Sequence, residues 1–132
     1  MSEPVWIDER DALALHDRIL ALDGGAVGLR DEALLESALA RPRQLLSYGK
    51  RPDMVALATT YTAGILRNHP FIDGNKRTGF LVGVLFLELN GYRFTAAEED
   101  AAQAVLALAA GTLDESAFAD WMRANVTRRR RK

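Results

Sequence analysis

The sequence of 132 residues contains no cysteine and no apolar run long enough to cross a bilayer. Without cysteine, disulfide bonds and thiolate metal sites are excluded, and a reducing compartment such as the cytoplasm is expected. The longest apolar run, residues 80–87, is far shorter than the roughly 20 residues that a membrane helix needs. The first residues, MSEPVWIDERD, are polar and acidic, unlike a signal peptide. We therefore expect a cytoplasmic protein without a membrane partner.

Neither sign of charge dominates the whole chain, whose formal net charge is −1, but the charges are segregated. Residues 1–40 carry 3 basic and 9 acidic side chains, residues 41–93 carry 8 basic and 3 acidic ones, and residues 94–127 carry 1 basic and 6 acidic ones. The chain ends in RRRRK. The basic middle is where an anion is expected, whereas the acidic remainder argues against direct nucleic-acid binding.

The sequence also lacks any extended alternation of apolar and polar residues, the pattern typical of a half-buried strand. Helical spacing and helix-terminal residues instead predict an all-α domain, a compact bundle of about six helices with a central buried pair. Asp8, Asp31 and Asp53 are predicted to cap three helices, and a fourth is predicted from about Asn75 to Leu89. The helix that begins at Asp53 is apolar nearly all round and is therefore expected to be central.

The remaining boundaries follow from local signals. The helix after Asp31 is predicted to end at Pro42, and residues 42–52 are predicted to be irregular or to contain a single helical turn. Thr95 and Glu98 form a capping-box pattern for the next helix, and a final helix is predicted over residues 113–126, with YRF as a short extended piece before them. The chain length favours a single domain, residues 1–127, followed by a basic, disordered tail at residues 128–132.

Residues 69–79, HPFIDGNKRTG, contain an unusual helix start. Acidic side chains are favoured at a helix N-terminus because the dipole and the free N–H groups make that end positive. Here the predicted helix opens with Lys76 and Arg77. Two cations become favourable at this position if the free amides and both side chains bind a phosphate chain. The pattern therefore indicates an anion site.

The neighbouring residues suit phosphoryl chemistry. Asp73 supplies a hard oxygen ligand for Mg²⁺ that also contacts phosphates. Gly74 permits close approach of the backbone, and Asn75 can cap the helix or hold a phosphate oxygen. His69 is a candidate general base for an attacking hydroxyl. No Walker-type G-x-x-x-x-G-K-[ST] loop occurs, so a conventional nucleotide loop is excluded.

Each of these residues has an ordinary structural explanation when taken alone. Asp-Gly-Asn is a common turn, and the two cations can simply be solvated. The combination of histidine, carboxylate, glycine and two cations at one helix start favours a functional site. The other histidine, His16, is expected to be a satisfied or exposed side chain on its helix rather than a ligand.

HPFIDGNKR resembles the signature of the Fic/Doc superfamily, and more closely that of the Doc (death-on-curing) toxins. Nine consecutive positions fit the Doc form, and GLRDEALLESALARP and FLELNGYRF resemble the flanking segments of the same family. The resemblance implies the all-α Fic/Doc fold and an ATP-dependent protein kinase. It further implies that His69 is the general base and that Asp73 holds Mg²⁺. Gly74, Asn75, Lys76 and Arg77 would bind the nucleotide, and Arg77 would also offset charge in the transition state.

Two positions depart from the AMP-transferring Fic form. Lys76 replaces a glycine, and Phe80 replaces an arginine, at positions that shape the pocket for the β- and γ-phosphates. In the Doc-like form the nucleotide lies the other way round, so that the γ-phosphoryl group faces the acceptor. The implied target is a threonine of elongation factor Tu, whose phosphorylation arrests translation.

The resemblance also implies a partner. Self-inhibited Fic proteins carry an [ST]-x-x-x-E-[GN] helix, and no glutamate here is followed by glycine or asparagine. Control in trans by a Phd-like antitoxin of a toxin–antitoxin system is therefore expected. Two alternatives stay open, an AMP transferase and a catalytically silent antitoxin-binding module. Lys76 and Phe80 count against the first, and the intact His69, Asp73 and Arg77 count against the second. A metal hydrolase is weaker, because two ligands make a poor site.

Overall fold

A computed structural model describes residues 3–48 and 51–129 of the chain, and it confirms the all-α prediction. Within those residues there are six helices and two three-residue strands. The elements are α1 (Glu9–Asp23), α2 (Glu32–Ser47), α3 (Met54–Asn68), α4 (Asn75–Leu89), β1 (Tyr92–Phe94), α5 (Glu98–Ala110), α6 (Glu115–Ala124) and β2 (Val126–Arg128).

The helices α3 and α4 form the centre of the bundle. Helix α3 is buried along almost its whole length and packs against α4, α2 and α6. Its approach to α4 requires small residues, since a Cβ atom on Gly83 would lie 2.5 Å from the Thr62 hydroxyl and 3.0 Å from the Ala58 carbonyl oxygen. Thr62 donates its hydroxyl to the Gly79 carbonyl of α4 at 2.8 Å. The pair therefore holds both ends of the loop that joins them.

The predicted helix starts are confirmed where an aspartate precedes the helix. The carboxylates of Asp8, Asp31 and Asp53 each accept a backbone N–H from the first turn of α1, α2 and α3. Each bond satisfies one of the amides that a helix start leaves unpaired. The predicted exit of α3 is confirmed as well, because His69 ends that helix in the left-handed conformation.

The prediction that α2 ends at Pro42 is wrong. The helix continues to Ser47 with Pro42 buried inside it, so most of the segment expected to be irregular is helical. A proline within a helix removes one hydrogen bond and costs about 3 kcal/mol. The leucines of the next turn, Leu45 and Leu46, pack against the core and offset that cost.

Near the C-terminus, the predicted cap of α5 and the predicted end of α6 are wrong, whereas α5 itself covers the predicted residues 98–110. Thr95 does not cap α5, since its hydroxyl and its N–H both donate to the Asn125 carbonyl. The last helix ends at Ala124, and Val126 pairs with Phe94 in the antiparallel β1–β2 ribbon. Both differences have the same cause. The backbone groups of these two segments bond to each other across the β1–β2 ribbon, and this satisfies them.

The basic tail predicted at residues 128–132 lies partly outside the described residues. Arg128 closes β2 opposite Tyr92, and the Arg129 N–H donates to the Gly91 carbonyl at 2.8 Å. Among the described residues, no helix is both long enough and apolar enough to span a membrane.

Candidate functional site

The segment that joins α3 to α4, residues 69–74, is here called the signature loop. It begins at His69, whose φ of 49° and ψ of 56° place it in the left-handed region. It ends at Gly74, whose φ of 80° is readily adopted only by glycine. Between these two bends the Phe71 side chain is 1% exposed and anchors the loop in the core. The loop is therefore a defined turn between two buried helices.

A second segment, residues 25–31, braces the signature loop from outside. The N–H groups of Arg30 and Asp31 donate to the Pro70 carbonyl at 2.7 and 3.0 Å, and the Ile72 N–H donates to the Gly28 carbonyl at 3.1 Å. The Arg30 guanidinium also donates to the carbonyls of Asn68 and His69. These carbonyls end α3, where a cation is favoured by the helix dipole.

The Asn75 side chain ties the two ends of the loop together. Its Oδ1 accepts the Phe71 N–H at 2.9 Å, and its Nδ2 donates to the Phe71 carbonyl at 2.9 Å. These bonds fix the orientation of the amide, so Nδ2 also faces His69 Nδ1, at 3.2 Å. Asn75 is 6% exposed and is the first residue of α4, so its amide positions the loop and does not cap the helix.

The His16 ring lies beneath the loop. The side chain is 2% exposed, its ring stacks on Phe71 with centroids 3.8 Å apart, and its Nε2 lies 2.8 Å from the Asp73 carbonyl oxygen. His16 is thus a satisfied, buried side chain, which was one of the two ordinary roles expected for it. Its contact with the loop was not expected.

The Asp73 carboxylate lies on the exposed side of the loop. Oδ1 accepts the Gly74 N–H at 2.9 Å, and Oδ2 accepts the Ala26 N–H at 3.3 Å. Each carboxylate oxygen has two lone pairs, so both keep one for a further partner. A single carboxylate suits Mg²⁺, which is commonly held by one or two carboxylates together with substrate phosphates.

The start of α4 leaves its first amides without a side-chain partner. Gly74 precedes the helix and offers no side-chain cap. The Gly74 carbonyl accepts the Thr78 N–H, so the amides before Thr78 lie ahead of this helical hydrogen bond. Lys76 and Arg77 are exposed on the same first turn, and Arg77 forms an ion pair with Asp23 at 3.3 Å. Amides and cations together make this end of α4 suitable for an anion.

A groove of about 330 Å³ continues from these cations between α4 and α5. Its walls are largely apolar, with Glu98 at its edge. The lining side chains are Lys76, Arg77, Phe80, Leu81, Glu98, Ala101, Ala102, Val105 and Leu106. The groove is thus an apolar surface that begins at the two cations.

The comparisons with known proteins identify the family. The sequence model of the Fic/DOC family matches residues 6–87, which include the signature loop, residues 25–31 and α1. The chain belongs to the Fic/DOC family.

Two curated relatives of this Fic/DOC chain carry Doc names. It is 31% identical over 117 residues to "Protein kinase doc" of Escherichia phage P1, an alignment that covers 89% of this chain and 92% of that protein. It is 39% identical over 93 residues to "Toxin Doc" of Mycolicibacterium smegmatis, covering 69% of this chain and 68% of that protein. The chain is therefore a homologue of Doc proteins over most of its length.

All six residues singled out from the sequence lie in the signature loop and the first turn of α4. They are His69, Asp73, Gly74, Asn75, Lys76 and Arg77. The sequence did not identify the residues that support them from other elements, namely His16, Asp23 and Arg30. The glycine-rich run GGAVGLR was the available signal, because glycines in a short loop often mark close backbone contact.

Proposed function

We propose that this Fic/DOC protein is a Doc-like toxin that transfers the γ-phosphoryl group of ATP to a hydroxyl group of a translation protein. The observation that carries the proposal is the start of α4, where uncapped amides and two cations lie beside an exposed carboxylate and histidine. A helix N-terminus with these features favours a polyphosphate over other ligands. The phage P1 relative is named a protein kinase, which supports phosphoryl transfer, and the mycobacterial relative is named a toxin.

The phosphates are proposed to bind at the first turn of α4. The amides, Lys76 and Arg77 would share the negative charge that spreads over the phosphoryl oxygens in the transition state. Arg77 reaches this position from its ion pair with Asp23. The Arg77 side chain is 52% exposed and that of Asp23 is 43% exposed. An exposed pair of this kind is worth only about 0.2–1 kcal/mol, so a phosphate can compete for the guanidinium.

His69 is proposed to take the proton of the acceptor. The hydroxyl oxygen attacks the γ-phosphorus, the bond from that phosphorus to the β-bridging oxygen breaks, and ADP leaves as the proton passes to the imidazole. Because Asn75 Nδ2 faces Nδ1, the neutral ring carries its proton on Nε2 while that contact holds. Nδ1 is then the bare nitrogen and is proposed to take the proton, so the 3.2 Å contact with Asn75 must open for the acceptor hydroxyl to reach Nδ1.

The residues present fit a magnesium ion. Asp73 offers free lone pairs on an exposed carboxylate whose position is fixed by two backbone N–H groups. Bound there together with the phosphates, Mg²⁺ would neutralise charge on the β- and γ-oxygens. Gly74 and Asn75 shape the turn that brings the carboxylate beside the helix amides.

The orientation of the nucleotide separates a kinase from an AMP transferase. Lys76 occupies a position at which the AMP-transferring pattern has glycine, and Phe80 lines the apolar groove where that pattern has arginine. The added lysine and the missing guanidinium disfavour a pose that puts the α-phosphate against the acceptor. This supports transfer of the γ-phosphoryl group.

Two labelled nucleotides test the proposal. The protein is incubated with Mg²⁺ and a bacterial lysate, and separately with purified elongation factor Tu, using ATP labelled in either the γ- or the α-phosphate. We expect transfer from the γ position only, with a threonine of elongation factor Tu as acceptor, and loss of transfer in His69→Ala. Gln44→Ala, a substitution at an exposed residue outside the site, controls for effects of mutagenesis and purification. Transfer from the α position would identify an AMP transferase, and no transfer from either would favour a binding module.

Control in trans by a small Phd-like antitoxin belongs to the same proposal. No glutamate in the chain is followed by glycine or asparagine, so the self-inhibitory pattern is absent from the sequence. A cytoplasmic toxin of this kind needs a partner that covers its site until activity is required. Expression in bacteria is expected to arrest growth and His69→Ala to relieve the arrest. Harmless expression of the intact chain would contradict the proposal.

A further inference from the structure

We propose that His16 is a positioning residue that fixes the Asp73–Gly74 peptide with its N–H, and not its carbonyl, on the side of the nucleotide phosphates. The inference rests on the proposed nucleotide site but concerns a residue outside the signature loop. His16 lies on α1, 57 residues before Asp73 in sequence, and its ring is buried directly beneath the loop.

The two ends of this peptide group point in opposite directions. In a planar trans peptide the C=O and N–H bonds are antiparallel. The Asp73 carbonyl is directed inward to His16 Nε2 at 2.8 Å, and the Gly74 N–H is directed outward to the exposed Asp73 carboxylate at 2.9 Å. The inward bond therefore determines which end of the peptide dipole faces the site.

Gly74 makes the opposite orientation sterically accessible. Its φ is 80°, and rotation of the preceding peptide by roughly 180° would bring this angle into the ordinary negative range, as in the exchange between turn types. Glycine tolerates both states. In the rotated state the Asp73 carbonyl oxygen would face its own carboxylate and the phosphates, where negative charges repel. Backbone sterics alone therefore do not secure the productive state.

The His16 ring is held in place for this role. Its face stacks on Phe71 with an interplanar angle of 9°, and a Cβ atom added at Gly74 would lie 3.6 Å from both Cδ2 and Nε2 of the ring. A carbonyl oxygen only accepts hydrogen bonds, so Nε2 must carry a proton. The geometry thus specifies the protonated atom as well as the position of the ring.

The first test is the protonation state of the ring nitrogens in the wild-type protein. Long-range ¹H–¹⁵N NMR spectra distinguish a histidine protonated at Nε2 from one whose Nε2 is bare. We expect Nε2 of His16 to carry a proton with and without Mg·ATP. A bare Nε2 would overturn the inference, because the Asp73 carbonyl would then have no donor.

The second test separates the hydrogen bond from the packing of the ring. His16→Phe keeps an aromatic ring against Phe71 but removes the donor, whereas His16→Gln replaces the ring with an amide whose nitrogen occupies a comparable position. Tyr61→Phe is the matched control, because it also removes a hydrogen-bonding group from a buried aromatic side chain, in this case the bonds between the Tyr61 hydroxyl and the Ile7 backbone.

We expect His16→Phe to bind Mg·ATP about 10- to 100-fold more weakly in calorimetry, the usual effect of losing an outer partner of a metal site. His16→Gln should restore most of the affinity, and Tyr61→Phe should bind like the wild type. Equal affinity of His16→Phe and the wild type would overturn the inference. If His16→Phe does not fold, the NMR experiment still decides. If the wild type binds no Mg·ATP, the proposed function fails, while the NMR result still tests the peptide orientation.

Discussion

Gly25 and Ala26, in the segment that braces the signature loop, determine where the Asp73 carboxylate lies. Ala26 donates its N–H to Oδ2, and the residue before it, Gly25, approaches the same oxygen so closely that an added Cβ atom would lie 2.9 Å from it. The φ of Gly25 is 123°, a value that side chains rarely adopt. Gly25 therefore leaves the space that the carboxylate occupies.

Gly25→Ala is expected to displace the Asp73 carboxylate and weaken Mg²⁺-dependent ATP binding by about 10- to 100-fold. Gly24→Ala is the matched control, since Gly24 also has a positive φ, 78°, but a Cβ atom there would meet nothing within 4 Å. Each substitution should lower the free energy of unfolding by about 1–3 kcal/mol because of backbone strain. Titration calorimetry and denaturant unfolding measure the two effects. A similar loss of binding in both variants would show that strain, and not the carboxylate, is responsible.

The sequence predicted the residues of the signature loop but not the residues that hold it. His69, Asp73 and Arg77 lie within nine consecutive residues, so their spacing relative to a helix start is visible in one short segment. His16 contacts Asp73 across 57 positions, and Arg30 contacts His69 across 39. Such contacts depend on how α1 and the segment after it pack on the loop, which local patterns do not specify.

At the scale of elements, the sequence correctly predicted the helix starts that an aspartate caps, and it missed the ends of α2 and α6. Aspartate caps act through bonds to residues three positions away, so Asp8, Asp31 and Asp53 could be recognised locally. The continuation of α2 through Pro42 depends on packing of the next turn against the core. The end of α6 depends on pairing of Val126 with Phe94, a contact between distant segments. Tertiary contacts decided both cases.

The contact between α1 and α2 contains a cluster of three carboxylates. The ligand atoms of Glu9, Glu32 and Glu36 lie within 4.8 Å of one another. A hydrogen bond with Glu32, and then desolvation and the charges of Glu32 and Glu36, raise the pKa of Glu9 above its ordinary value of 4.5. The folded protein therefore holds a proton on this cluster more tightly than the unfolded chain does.

Stability should fall as the pH rises through the interval between 4.5 and the raised pKa of Glu9. In that interval the folded state binds more protons than the unfolded state, so raising the pH favours unfolding, and the penalty is complete above the folded pKa. Glu9→Gln keeps a hydrogen-bonding group without the charge. It should unfold at a higher temperature than the wild type at pH 7, with the difference vanishing below pH 4. Circular dichroism melts over this range measure it, and an equal difference at both pH values would contradict this explanation.

At the scale of the whole molecule, ion pairs join the segments of opposite charge. Asp23 of the acidic first segment pairs with Arg77 of the basic middle, and Glu115 of the acidic third segment pairs with Arg41 and Arg67. The charges that remain free for a ligand are therefore fewer than the sequence suggests. Lys76, which has no such carboxylate partner among the described residues, is the cation of the candidate site most available to an anion.

The C-terminal strand closes the fold over an aromatic cluster. Phe94 on β1 lies edge-on to Phe80 and Trp121, with centroid distances of 5.4 and 5.7 Å. β2 covers β1 by pairing Val126 with Phe94 and Arg128 with Tyr92. The boundary of the folded domain should therefore lie beyond β2, with the Arg129 N–H bonded to the Gly91 carbonyl as the last described backbone contact.

Two truncations test this boundary. A chain that ends at Arg129 keeps every described contact and should melt like the full-length protein. A chain that ends at Asn125 loses three cross-strand pairs, and at roughly 0.2–1 kcal/mol for each pair it should be less stable by about 0.6–3 kcal/mol. Urea unfolding followed by circular dichroism measures both. Equal stability of the two truncated chains would mean that β2 contributes nothing to the fold, whereas a loss already present in the longer one would place the boundary beyond Arg129. Because Phe80 also lines the groove beside Lys76, loss of β2 is expected to loosen that wall of the candidate nucleotide site as well.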